Sequence, residues 1–104
     1  MALLTNGFAT LNLKLKHFRD HKDERPWPDA NNYEKYADGF LTKAATRSMH
    51  VHTRPSGDVV RYDENTGEFG ILKADNHIKT YFLRPVSNPK EVADGLAYFH
   101  RRKG

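Results

Sequence analysis

From Ser48 to Arg84 the chain reads Ser48-Met-His-Val-His-Thr-Arg54, Pro55-Ser-Gly57, Asp58-Val-Val-Arg-Tyr-Asp63, Glu64-Asn-Thr-Gly67, Glu68-Phe-Gly-Ile-Leu-Lys73, then a turn at Asp75-Asn76, then Ile78-Lys-Thr-Tyr-Phe-Leu-Arg84. Side chains repeat here with a period of two, and turn residues punctuate the repeat. The pattern predicts four strands, over 48–54, 58–63, 68–73 and 78–84. Connections this short cannot carry a crossover, so the strands must form an antiparallel meander. Gly67 is free to take a positive φ in its turn. Pro85 and Pro89 close the segment.

On either side of the meander the period lengthens to about 3.6 residues, the repeat of an α-helix. Thr10 can cap a helix running from Leu11 to about Asp23, with Leu11, Leu15 and Phe18 as its apolar stripe. Arg25-Pro-Trp-Pro28 breaks it. A second helix is expected from Asp29 to Ala45, with Tyr33, Ala37, Phe40, Leu41 and Ala44 facing inward. A short third helix, from Pro89 to His100, would turn Val92, Leu96 and Phe99 to one side. The fold class is therefore α+β, with N-terminal helices packed on one face of a four-stranded antiparallel meander.

With 104 residues there is room for one domain, residues 1–104, ordered from about 11 to 100. The absence of cysteine removes disulfide staples and cysteine zinc sites. No apolar run is long enough to span a bilayer, so no membrane association is expected. The opening Met1-Ala-Leu-Leu-Thr-Asn-Gly-Phe8 lacks the pattern of a secretory leader and reads as the start of a domain cut from a longer protein. The net charge is +4. Lys14, Lys16, Arg19, Lys22 and Arg25 crowd the first segment, which suits a polyanionic partner. The ending His100-Arg-Arg-Lys103 reads instead as a frayed, solvated tail.

Lys14, His17 and His21 fall within an arc of about 60° on the first helix, beside its apolar stripe. That places them at the lip of a helix–sheet cleft, where an imidazole can exchange protons near neutral pH. The plain alternative is two surface histidines on a basic helix. Thr80 lies between Ile78 and Phe82 on an expected core-facing strand side and could aim a hydroxyl at a phosphate; otherwise it bonds to backbone. Arg54 ends the first strand, where its guanidinium could stabilise charge on phosphorus or simply solubilise an edge. His17 with His21, or His50 with His52, could each start a zinc site, but no third ligand stands at diagnostic spacing. No metal and no cofactor is expected, and nucleotide-binding glycine loops are missing.

The order of these pieces is familiar. His17-Phe-Arg-Asp-His21 is followed by Tyr33, Ala37 and Phe40, then Gly57-Asp-Val-Val-Arg-Tyr-Asp63, Thr66-Gly-Glu-Phe-Gly70, Ile78-Lys-Thr-Tyr-Phe-Leu-Arg-Pro85 and Tyr98-Phe99. From about Leu11 to Phe99 this resembles the C-terminal toxin domains of bacterial contact-dependent inhibition and other polymorphic toxins, related in fold to colicin D, barnase and RelE. The resemblance implies a metal-independent ribonuclease, acting on tRNA, exported as part of a larger toxin and working in the target-cell cytoplasm. It also implies a cognate immunity protein over the cleft. By position it gives His17, His21, Arg54, Thr80 and Tyr81 as catalytic candidates.

The expected chemistry is attack of a ribose 2′-OH on the adjacent phosphate. His21 acts as base, His17 as acid, and Arg54, Lys14 and Thr80 steady the phosphorane. Lys14, Lys22, Arg61 and Lys79 are expected along the RNA, and the domain is expected to be monomeric. Two other readings fit the residues: a non-catalytic basic module that binds nucleic acid, and a protein-interaction domain of the immunity or adaptor kind.

Overall fold

A computed structural model describes residues 3–104; Met1 and Ala2, at the head of the stretch read above for a leader, lie outside it. The elements run α1 (Leu11–His21), α2 (Ala30–Thr42), β1 (Met49–Thr53), β2 (Val59–Asp63), β3 (Glu68–Leu72), β4 (Ile78–Leu83) and α3 (Pro89–Arg102). The fold is α+β, with strands in the order β1-β2-β3-β4 and every neighbouring pair antiparallel. Each helix starts on a side-chain cap. Thr10 accepts from Leu13 N at 3.1 Å, Asp29 from Asn32 N at 2.8 Å and Asn88 from Glu91 N at 2.9 Å. The helix α3 continues to Arg102, so the basic ending is helical rather than frayed.

Gly67, between β2 and β3, has φ +79°, and a Cβ there would collide with the carbonyl oxygen of Arg84. Glycine is needed because backbone meets backbone: Arg84 N donates to Gly67 O at 2.7 Å.

The sheet separates two cores. On one face α2 supplies Tyr33, Ala37, Phe40 and Leu41 against Met49, Ile78 and Tyr81, with Phe8 and Trp27 completing the cluster. On the other, Val60, Tyr62, Phe69 and Ile71 meet Phe99, with Phe82, Leu96 and Tyr98 at the margin. The helices thus sandwich the sheet, and α3 covers the face opposite α2.

A register shift between Ile71 and Leu72 interrupts the pairing of β3 with β4. Leu72 pairs with Ile78, whereas Ile71 pairs with Thr80, leaving Lys79 as the extra residue. Alternation therefore slips by one within β4. Ile78 and Tyr81 face the α2 core, while Thr80 and Phe82 turn to the α3 side, so Thr80 does not share the face of Ile78.

The helix α1 lies along the free edge of β4 rather than on the flat of the sheet. Phe18 reaches the α2 core, 6.0 Å from Tyr33 ring to ring, while His21 stacks on Phe82 of the other face at 5.3 Å. None of its residues is fully buried. The expected stripe is only partly used: Leu11 is 64% and Leu15 45% exposed, and the side turned to the protein carries Lys14, His17, Phe18 and His21. Open backbone groups of β4 are met from this side. Ile78 N donates to Gly7 O at 2.8 Å, and Leu83 N donates to Glu24 Oε1 at 2.8 Å. An edge strand covered in this way no longer offers a template for pairing.

Candidate active site

The two imidazoles of α1 are not loose surface groups. His17 stacks on Phe8 with ring centroids 5.2 Å apart, and His21 lies 6.2 Å from His17 with its ring within 19° of parallel. Since Phe8 bridges to Ile78 and His21 stacks on Phe82, α1 runs alongside β4 in the same direction. Thr80 lies between those two anchor points along the strand, half-buried on the Phe82 side.

His21 Nδ1 lies 2.8 Å from Glu24 Oε2, while the other oxygen of the same carboxylate is held by the amide of Leu83. A carboxylate fixed at one oxygen orients the ring with Nδ1–H as donor and leaves Nε2 as the basic nitrogen. His17 differs. Its Nδ1 is buried without a hydrogen-bond partner. Burial, and then the neighbouring His21 and Lys16, push its pKa below the usual 6.5, so the ring is held neutral. A neutral ring with the proton on Nε2 leaves a lone pair at the buried Nδ1, which costs less than an orphaned N–H. The sequence expectation of an acid role for His17 fits this setting poorly.

No family model and no curated protein matches the chain.

The remaining expected site residues are spread more widely. Arg54 is far from the imidazoles, because β1 and β4 are opposite edges of the sheet, ~14 Å apart at the usual strand spacing. Its Nε and Nη2 donate to the carbonyl of Arg102, capping the end of α3, and its Nη1 is 3.7 Å from Asp58. Tyr81 is fully buried on the α2 face, where its hydroxyl donates to Glu68 at 2.6 Å. Burial and the Glu68 carboxylate both raise its pKa, so it is a structural phenol.

Lys14 ties α1 to α2 through Asn31 at 2.7 Å and Glu34 at 3.5 Å. Arg61 donates to the carbonyls of Lys43 at 2.7 Å and Phe40 at 3.2 Å, finishing α2. Only Lys22 and Lys79 of the expected RNA contacts stand exposed. His50 is engaged with Glu64 at 2.9 Å, and among the described residues no three His, Asp or Glu side chains are grouped as metal ligands.

Three groups are not expected at the site from sequence, although Tyr98 belongs to the sequence pattern and the basic ending reads as a tail. Glu24 follows His21 by three residues, a separation that brings helical side chains together and could have flagged it. Beyond Phe82 the aromatic run continues to Tyr98, 5.8 Å away, and Phe69, 5.1 Å away. The guanidiniums of Arg84, Arg101 and Arg102 gather around Tyr98 at 4.7, 5.8 and 5.0 Å. Helical spacing unites Tyr98, Arg101 and Arg102, but only the tertiary fold brings Arg84 to them.

Two hollows, of about 900 and 500 Å³, lie along α2 and not at the histidines. The imidazoles lie along the junction of α1 with β4, where His21 meets Phe82. A junction bordered by aromatic and basic side chains, and holding neither hollow, suits an extended chain better than an enclosed small molecule.

Proposed function

We propose that this domain cleaves RNA at the seam between α1 and β4, and that tRNA is its substrate. The observation that carries the reading is the stacked pair of imidazoles, one held by a fixed carboxylate and the other kept neutral by burial. His21 Nε2 takes the proton of a ribose 2′-OH, and Glu24 stabilises the imidazolium that results. The 2′-oxygen bonds to phosphorus as the bond to the 5′-oxygen breaks, giving a 2′,3′-cyclic phosphate; the departing oxygen takes its proton from water. His17 donates a neutral N–H to a phosphate oxygen as charge builds there. Thr80, on the Phe82 side of β4, assists through its hydroxyl in this reading. Arg54 and Tyr81 take no part.

Dependence on the 2′-OH would spare DNA. The reading carries a biological role with it. The domain would be the toxic end of a larger exported bacterial protein, acting in the target-cell cytoplasm and restrained by a cognate immunity protein.

The test is incubation of the purified protein with tRNA in EDTA. Cleavage to cyclic-phosphate ends is expected, with loss of about 10²–10⁴ in rate for His21→Ala. Abolition by the chelator, or full activity of the His17→Ala/His21→Ala double variant, would remove the mechanism. Growth arrest on induction without a partner, relieved by His21→Ala, is expected if the domain is a toxin.

A further inference from the structure

Like charges avoid one another unless something holds them together, and the surface around Tyr98 departs from that rule. Three guanidiniums lie within 5.8 Å of one ring centroid. Lys14, Lys16, Arg54, Lys73 and Lys90 each sit within ion-pair distance of a carboxylate; among the described residues Arg84, Arg101 and Arg102 do not. The same is true of Arg19, Lys22 and Lys79, and what sets the three apart is their grouping on one ring. Cation–π attraction to Tyr98 offsets part of the mutual repulsion. It leaves the planar N–H forks unused, and Arg84 Nε is buried with no hydrogen-bond partner at all. Arg101 and Arg102 are exposed on the last turn of α3.

The ligand that answers three unpaired guanidiniums is a phosphate chain, since each oxygen pair can accept a fork of N–H donors. The position is as informative as the charge. Tyr98 meets Phe82 at 5.8 Å and Phe82 meets His21 at 5.3 Å, so the arginines and the imidazoles lie on one continuous aromatic surface. We propose that Arg84, Arg101 and Arg102 around Tyr98 form a phosphodiester-binding subsite that holds a single RNA strand a short distance from the bond presented to His21. This deepens the ribonuclease reading and rests on it for the direction of the strand. The subsite grips backbone and carries no base preference, because Tyr98 is occupied by arginine.

The test uses the full chain and a fluorescent single-stranded RNA carrying 2′-O-methyl groups, which cannot be cleaved by 2′-OH attack. Binding is followed by anisotropy over a salt series. For Arg101→Ala/Arg102→Ala, affinity in 0.1 M salt is expected to fall about tenfold, and the slope of log affinity on log salt to flatten by about 1.4, two contacts at about 0.7 each. Lys73→Ala/Lys90→Ala removes the same formal charge from paired lysines elsewhere and is expected to change neither quantity appreciably. Arg101→Lys/Arg102→Lys keeps the charge but not the fork, and should keep the slope while losing part of the affinity.

Equal losses in both alanine pairs would overturn the proposal, since net charge alone would then explain binding. So would an unchanged slope in the arginine pair, or displacement of the RNA by polyglutamate of matched length, which would mark a face for acidic protein. Cleavage of unmodified RNA separates the two levels. If His21→Ala cuts as fast as the parent while the arginine pair still binds weakly, the imidazole chemistry fails and the subsite stands.

Discussion

Two buried tyrosines show how much a single oxygen depends on its surroundings. The Tyr81 hydroxyl donates to Glu68 at 2.6 Å, and the same buried carboxylate also accepts from Thr66 Oγ1 at 2.8 Å. The Tyr62 hydroxyl is buried under α3 with no partner. Removing the first hydroxyl leaves a buried carboxylate short of a donor; removing the second relieves an unmet polar group. Tyr81→Phe is therefore expected to lower unfolding stability in urea by about 1–3 kcal/mol, and Tyr62→Phe to leave it within about 0.5 kcal/mol or raise it. On the proposed ribonuclease reading, both variants should cleave tRNA at the parent's rate per folded molecule. Loss of cleavage in Tyr81→Phe with stability intact would return that phenol to the chemistry.

At the scale of elements, the strands were plain in the sequence because a period of two and turn residues are local properties. The helix α1 was legible as a helix but not in its orientation. Leu11, Leu15 and Phe18 form a proper stripe, yet the helix docks on a sheet edge, and an edge has room for Phe18 and the rings beside it only. Leu11→Ala and Leu15→Ala are thus expected to change stability by no more than about 0.5 kcal/mol each, against about 2–5 kcal/mol for a leucine in a closed core. A urea midpoint shift of the larger size would mean that α1 packs through its leucines. The site was half legible for related reasons. The imidazole pair follows from helical spacing alone. The slip in β4 that turns Thr80 away from Ile78, and the helix end that claims Arg54 from 48 residues away, arise from tertiary contacts that no local pattern records. Gly67 belongs with the legible features. Gly67→Ala combines a positive φ with a collision against Arg84 backbone, and is expected to cost more than about 2 kcal/mol, seen as a fall in thermal midpoint.

For the molecule as a whole, the displaced pKa values fix how stability should vary with pH. His17 is pushed below its ordinary 6.5 by burial, and then by His21 and Lys16. The fold therefore favours the neutral ring. Its contribution is complete above about pH 6.5 and is lost as pH falls through the lowered value. Asp20 is held below its ordinary 3.8 first by its bond from Lys16, and Glu91 below its ordinary 4.5 first by its bond from Ser87. Depressed carboxylates act in the same direction but at lower pH, so acid should weaken the fold in two stages.

The phenols act oppositely. Burial raises Tyr33, Tyr62 and Tyr81 above their ordinary 10.0, so the fold favours their neutral form. Their contribution is complete below pH 10 and is lost as pH climbs toward the raised values. Urea midpoints are therefore expected to form a plateau from about pH 7 to 9, falling on both sides. His17→Gln should flatten the decline just below pH 6.5 and leave the alkaline limb alone. An unaltered acid limb in that variant would show that the His17 ring is as free to take a proton in the folded domain as in the open chain, and the neutral-donor role would go with it.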